Sequence, residues 1–560
     1  MRDIHRELTN NQCQSLVKVY RGQLIASDEI DILKNSIGDL ISMKSFLSTS
    51  LDRQKAAFYI EGASLTPSNQ SDSSLIPVLF EIVDDSSTLY RNGAGANEIN
   101  NDMTTSLKHA FDGFGFIQKY NIDGPSQIVR FHASFIKSRT YKEALKNGHT
   151  IVRHFALTET TVGNILDPNT LESLGPLISL PYASVLDSEI LSMPTAHVMY
   201  DEKHKMTVGY SIRITRKGHW LDIIFISDEV SNENKTEDDN EDKWLTGNDR
   251  FIYIIDNISE RAKAYNRRIR SSTKLYRFPL EYASYMHSAS ISEDYLILTE
   301  VPLHFNKFYA IWNLISGRAV TDMFKWNGET MPTYFRVISL DTGEQIAHIP
   351  GPAFFTFHHI NSYQVKDNKK KIIVDICAFD DSRLINELFL DKLRENIFPS
   401  GTGYFRRFEL DLDTNTCIEP NANAREPKGI HCYSYANSLV PIQFELPRIN
   451  PKFIGKSYRY VYATRAPPGR LFDALIKLDV QSKEQVGLWE EACKSPSEPI
   501  FVPRPDANHD QEDDGVVLSI VLDQQAKKSF LLVLDGITFK ELARAHLPIH
   551  IPLSFHGNFY

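Results

Sequence analysis

The chain has 560 residues, a formal net charge of -10 and 42% hydrophobic residues, a balance that fits a folded globular protein and excludes a broadly basic nucleic-acid surface. Five cysteines, Cys13, Cys377, Cys417, Cys432 and Cys493, are scattered with no Cys-x-x-Cys pair, so neither a disulfide framework nor a thiolate zinc site is expected. The first residues lack the apolar core of a signal peptide, and no apolar run reaches the ~18 residues of a membrane span; a reducing, cytoplasmic setting is expected, with membrane contact only at the surface.

In chain order, Ile30, Leu33, Ile37 and Leu40 recur at a helical period over 28–40, and Ser50 can cap a second helix running through Ala57. Residues 64–74 are rich in Ser, Pro, Asn and Gln and read as a linker. Leu75 to Val83 reads as a short apolar strand. Short strands then recur between turn signals: Thr207 to Thr215, Trp220 to Ile226, Phe251 to Ile255, Tyr295 to Thr299, Lys371 to Ile376, Tyr404 to Leu410, Tyr458 to Ala463 and Leu471 to Leu478. Such spacing predicts an all-β sandwich, barrel or propeller without choosing among them. The acidic stretch Asp228 to Lys243 reads as a solvated loop.

The front of the chain, about 1–85, resembles part of the arginine-specific mono-ADP-ribosyltransferases through Val19-Tyr20-Arg21-Gly22 and Ser45-Phe46-Leu47-Ser48-Thr49-Ser50. By that resemblance Arg21 and Ser48 would hold NAD, on a short α/β fragment. The same family needs a Glu-x-Glu motif to support its developing positive charge, and this sequence contains none. NAD-dependent transfer to protein arginine is therefore not expected.

Residues 86–560 resemble the carotenoid cleavage oxygenases, which include the β-carotene oxygenases and the isomerohydrolase of the retinal pigment epithelium. Leu89-Tyr90-Arg91-Asn92-Gly93-Ala94-Gly95 and Ala110-Phe111-Asp112-Gly113 match the family's early strands. Four histidines sit in matching contexts: His197 in Pro194-Thr195-Ala196-His197, His287 in Ser284-Tyr285-Met286-His287-Ser288, His358 in Phe355-Thr356-Phe357-His358, and His556 in Ser554-Phe555-His556-Gly557. The resemblance implies a seven-bladed β-propeller with a helical cap and an Fe(II) ion held by these four imidazoles. Neutral imidazole suits ferrous iron, and four ligands leave two of six octahedral positions free, for molecular oxygen and water. His359 adjoins His358, and in a strand the two point to opposite faces; the resemblance selects His358.

Ligating histidines need a partner on the other ring nitrogen. The resemblance places Glu159, Glu445 and Glu498 in that role. Two departures stand out: Val198-Met199 follow the first histidine where the family usually has Pro-His, and Gln364 stands where a glutamate is usual. Further along, Phe305, Phe308, Trp312 and Ile315, with Ile311 beside them, recur at steps that place them on one side of a helix. With Tyr309 and Lys307 they predict an interfacial anchor where substrate enters from a membrane surface. The function implied is oxidative cleavage of a conjugated double bond of a carotenoid or apocarotenoid to aldehyde or ketone products. Retinyl-ester isomerohydrolysis on the same fold, or carotenoid binding without catalysis, are the alternatives.

Overall fold

The structure, a computed structural model, describes residues 18–26, 75–83, 87–96, 109–110, 114–136, 163–177, 189–228, 268–310, 320–419, 439–504 and 511–560, apart from one or two residues inside some of these spans. The chain divides into two compact units, one formed by 1–89, 121–128 and Tyr560, the other by 90–120 and 129–559.

In the smaller unit, Lys18–Ala26 pairs antiparallel with Leu75–Val83, in register from Lys18 opposite Val83 to Ala26 opposite Leu75. The run Leu75-Ile76-Pro77-Val78-Leu79-Phe80 carries the β-branched and aromatic residues that favour a pleated surface. It has the bounds expected from the sequence. Arg21 lies on the first of these strands, opposite Phe80. The helices expected over 28–40 and after Ser50, and Ser48 itself, lie outside the described residues, as do the strand expected over 251–255 and most of the acidic loop after Asp228.

The larger unit is a succession of antiparallel sheets, each made mainly from consecutive strands. Glu189–Pro194, Met206–Thr215, His219–Ser227 and Thr273–Leu280 form one, with Met199–Asp201 also on Met206–Thr215. Ala289–Ile291, Tyr295–Glu300, Thr333–Ser339 and Gln345–Gly351 form the next. Then come Phe355–Val365, Asn368–Phe379, Tyr404–Asp411 and Thr416–Ile418, followed by Phe444–Arg448, Tyr460–Arg465, Ala474–Asp479 and Glu484–Glu490. Lys494–Pro496, Gly515–Asp523, Lys528–Asp535 and Glu541–His546 follow, with Ile500–Pro503 on Gly515–Asp523. One further four-stranded sheet, not confined to this unit, has the order His556–Phe559, Thr88–Ala96, Phe114–Asp123 and Ile128–Phe135. Two expected strands begin later than their apolar runs suggest, at Tyr460 and Ala474. Tyr458, just before its strand, donates its hydroxyl to Asp375 at 2.7 Å in the previous sheet.

Successive sheets stack face to face. Val208, Tyr210, Leu221 and Ile223 of one meet Leu296, Leu298 and Ile338 of the next. Phe335 and Val337 meet Phe354, Ile372, Val374 and Phe408; Phe355, Phe379 and Phe405 meet Phe444, Val461 and Ile476; Tyr462 and Leu475 meet Phe501, Val517, Phe530 and Leu532. Middle strands are thus covered on both faces, so they read as apolar runs such as Ile372-Ile373-Val374 rather than as strict alternation. Each fully buried large side chain stabilises the stack by roughly 1.5–3 kcal/mol. Among the described residues helices are few and short, chiefly Arg383–Glu387 and Leu390–Arg394, and they assemble no helical cap.

Candidate metal centre

Each of the four histidines comes from a different sheet or its entrance. His197 lies in the turn after Glu189–Pro194, and His287 precedes Ala289–Ile291. His358 is inside Phe355–Val365, and His556 opens the C-terminal strand. Thr195 joins the first two: its hydroxyl donates to the His287 carbonyl at 3.0 Å and accepts the His197 backbone N–H at 3.0 Å.

One ring nitrogen from each of His197, His287, His358 and His556 lies within 4.8 Å of those of the other three. The Nε2 atoms of His197 and His287 are 3.0 Å apart. His358 Nε2 is buried without a hydrogen-bond partner. An orphaned donor or acceptor in the interior costs roughly 1–3 kcal/mol, and converging imidazoles with a free lone pair are what a borderline metal ion takes. The residues present therefore fit a metal ion.

Burial keeps two of these rings, His197 and His556, neutral. Burial, then the neighbouring histidines, holds His197 well below the ordinary imidazole range. Burial lowers His556 to about 4, against the opposing pull of Glu498. The far ring nitrogens are bound to carboxylates: His358 Nδ1 donates to Glu445 Oε2 at 2.6 Å, and His556 Nδ1 to Glu498 Oε1 at 3.0 Å. Burial works to raise Glu445, but His358 and the Leu446 N–H prevail and lower it. Burial likewise opposes ionisation of Glu498, yet Arg448, His556 and Arg91 hold it at about 2. Both carboxylates are thus charged, and each fixes its histidine with Nε2 turned inward. His287 Nδ1 lies 3.1 Å from the Tyr285 hydroxyl. Glu159, expected beside one of the ligands, lies outside the described residues.

His359 is directed elsewhere. Its Nδ1 lies 2.9 Å from Ser290 Oγ, its Nε2 2.8 Å from Thr299 Oγ1, and its N–H donates to Ser288 Oγ. Adjacent strand residues face opposite ways, and these hydroxyls occupy both ring nitrogens of the outward one.

The expected membrane-facing helix is corrected at its start. Phe305 is the last residue of Leu303–Phe305, pairs with Phe324 and packs against the core; it is a strand residue and cannot share the helical face. The helix begins after Asn306, whose side chain accepts the N–H groups of Phe308 and Tyr309 at 3.0 and 3.2 Å. Phe308 is 82% exposed and Tyr309 44%. Ile311, Trp312 and Ile315 lie outside the described residues.

The sequence reading missed Thr195, Arg91 and Arg448. Only Arg448 carried a local signal, standing three residues after Glu445 in Phe444-Glu445-Leu446-Pro447-Arg448.

Residues 86–560 match the family model of the retinal pigment epithelial membrane protein, RPE65. The chain belongs to that family, the carotenoid cleavage oxygenases. Within it, the chain is 29% identical to carotenoid cleavage dioxygenase 8, chloroplastic, of Arabidopsis thaliana, over 84% of this chain and 80% of that one. It is 26% identical to β,β-carotene 15,15'-dioxygenase of Gallus gallus, over 84% and 92%. An apocarotenoid oxygenase variant from Synechocystis superposes with a TM-score of 0.62 at 21% identity, covering 84% of this chain and 92% of that one. A cobalt-substituted form of that oxygenase superposes with a TM-score of 0.61. Relatives in this family carry chloroplastic and mitochondrial names, so membership does not fix a compartment. No helix among the described residues is long and apolar enough to cross a membrane.

Proposed function

We propose that this carotenoid cleavage oxygenase holds ferrous iron on His197, His287, His358 and His556 and oxidatively cleaves a conjugated double bond of a carotenoid or apocarotenoid. The observation that carries the reading is the convergence of the four imidazoles within 4.8 Å, with Glu445 and Glu498 behind two of them. The dioxygenase names of its relatives favour cleavage over isomerohydrolysis. When bound, ferrous iron supplies the electrons and open coordination positions that dioxygen chemistry requires.

The chain's own residues orient and exclude. Glu445 and Glu498 hold protons on the Nδ1 atoms, so the Nε2 lone pairs face inward. Phe357 sits edge-on to His287 at 5.2 Å, and Tyr285, Phe355 and Phe324 continue that aromatic wall, which keeps water away and suits a polyene. In the overall reaction one carbon–carbon double bond and one dioxygen molecule become two carbonyl groups. No net proton transfer is needed, so no acid–base dyad is required. We assign Glu159 the same orienting role toward the centre. Among the described residues, six sheets of four or five strands, with the pair Gly163–Leu166 and Ser173–Leu177, fit a seven-bladed propeller. The exposed Phe308 and Tyr309 fit a peripheral contact with the membrane from which an insoluble substrate is taken. Arg21 and Ser48, without a Glu-x-Glu, support no NAD chemistry.

Fe(II)-loaded protein incubated with a panel of carotenoids under ¹⁸O₂ tests this. Two carbonyl fragments whose combined mass equals substrate plus both oxygen atoms are expected. Iron-replete protein that leaves every polyene intact, or that only isomerises it, would refute cleavage.

A further inference from the structure

Glu445 and Arg448 come from one strand, Phe444–Arg448, and serve two different histidines. In a regular strand residues three apart face opposite sides. Here the pairing with Tyr460–Arg465 skips a residue: Glu445 is opposite Thr464 and Arg448 is opposite Tyr462. The extra residue is absorbed at Leu446, whose φ is +53°, a conformation uncommon for a residue with a Cβ and retained where the surroundings demand it. Such a bulge re-aims side chains. It brings Glu445 and Arg448 to the same side.

From there Arg448 grips the last histidine's support. Its Nε donates to Glu498 Oε1 at 2.9 Å and its Nη2 approaches Glu498 Oε2 at 3.3 Å. Nη2 also donates to the Gly557 carbonyl at 2.5 Å and lies 3.4 Å from Asn558 Oδ1. Glu498 returns the contact, accepting from His556 Nδ1 and from the Gly557 N–H, each at 3.0 Å. Arg91 secures Glu498 from behind, donating to its carbonyl at 2.7 Å. The strand so held, His556–Phe559, is four residues long, too short for its own ladder to fix it firmly. The backbone passes close here: a Cβ on Gly557 would meet the Tyr90 carbonyl at 2.5 Å and Arg91 Cδ at 2.6 Å, so only glycine fits at this point.

We propose that Arg448 is a positioning residue of the histidine centre: by clamping Glu498 and the Gly557 carbonyl it sets the place of His556, while the Leu446 bulge lets the same strand hold His358 through Glu445. The inference rests on the metal reading of the four histidines. Arginine suits the role because its planar fork spans a carboxylate and a carbonyl together, which the single ammonium of lysine does not.

The test uses the full chain without iron, with Co(II) as the probe. Cobalt affinity is measured by optical titration, and hydrogen exchange of peptide 554–560 is followed in the metal-free protein. Arg448→Lys and Arg448→Gln are compared with Arg465→Gln, which breaks the Asp473 and Glu490 pairs of the same sheet. Arg448→Lys keeps the charge and stands as the deciding variant if Arg448→Gln does not fold. Both Arg448 variants are expected to bind cobalt about 10–100-fold more weakly and to exchange the 554–560 amides faster, whereas Arg465→Gln matches the wild type in both. Wild-type cobalt affinity in Arg448→Lys, or unchanged exchange, or an equal loss in Arg465→Gln, overturns the clamp and leaves the metal reading standing. A wild-type chain that takes up no cobalt overturns the metal reading and the clamp together.

Discussion

Replacing Glu445 by glutamine isolates what its charge does. Oε2 accepts two donors, His358 Nδ1 and the Leu446 N–H, each at 2.6 Å, while Oε1 is buried and the carboxylate neighbours the Cys377 thiol, which burial and this charge push up. Glutamine has one oxygen, which must take the Oε2 position, because an NH₂ there would face two donors. That orientation keeps both hydrogen bonds and puts an NH₂ where Oε1 was, one buried polar group in place of another. What is lost is the charge, and with it part of the strength of the bonds to His358 and Leu446, which lowers the melting temperature of the metal-free protein. The bond to His358 changes from charge-assisted to neutral, from about 1.5–3 to about 0.5–1.5 kcal/mol. The metal-free form shares that loss; affinity falls only because a bound cation makes the Nδ1–H more acidic and the carboxylate's hold on it stronger, a support that contributes about 10–100-fold, and the lower end, about 1.4 kcal/mol, is expected here. Equilibrium Co(II) titration at pH 7.5, beside a thermal melt of the metal-free protein, separates the two effects. Glu445→Gln should show both a lower melting temperature and a roughly tenfold weaker site. A variant that melts earlier yet binds cobalt within twofold of wild type would show that the carboxylate only packs, and the reasoning fails.

Other outcomes follow from the same geometry. His358→Ala should lose stoichiometric iron while His359→Ala keeps it, with iron read by atomic absorption; the reverse would exchange the two assignments. The metal-free protein should be steady above about pH 6.5 and lose stability as pH falls toward 4. His556 has its protonation lowered from 6.5 to about 4 in the fold, so the unfolded chain gains a proton first. The loss is about 3 kcal/mol from this group, and a flat urea midpoint from pH 7 to 4 would contradict the burial. Phe308→Ser with Tyr309→Ser should reduce liposome binding by up to roughly 1.5–3 kcal/mol per side chain with the melting temperature unchanged; retained binding in a co-sedimentation assay would move the membrane contact elsewhere. Full-length protein given NAD and a peptide rich in arginine should transfer no ADP-ribose, and robust labelling would revise the reading of Arg21 and Ser48.

Amino-acid order alone determined the strand-rich character of this chain, because alternation and turn residues act over a few positions. Leu75–Val83 was legible to the residue, and most later strands to within a few. The histidines were legible as candidates from their neighbours. Their meeting was not, because it depends on which sheets stack and on where the C-terminal strand pairs. The same limit hid Arg448 and Arg91, whose partners in Glu498 and Gly557 are far away along the chain. It also hid the Leu446 bulge, since a leucine with positive φ has no composition of its own and is stabilised only by the contacts on either side. Phe305 shows the converse. Its helical spacing from Phe308 was real, but pairing with Phe324 in an adjoining strand decided its conformation, since a paired backbone ladder packed against the core outweighs the weak local preference of one aromatic residue.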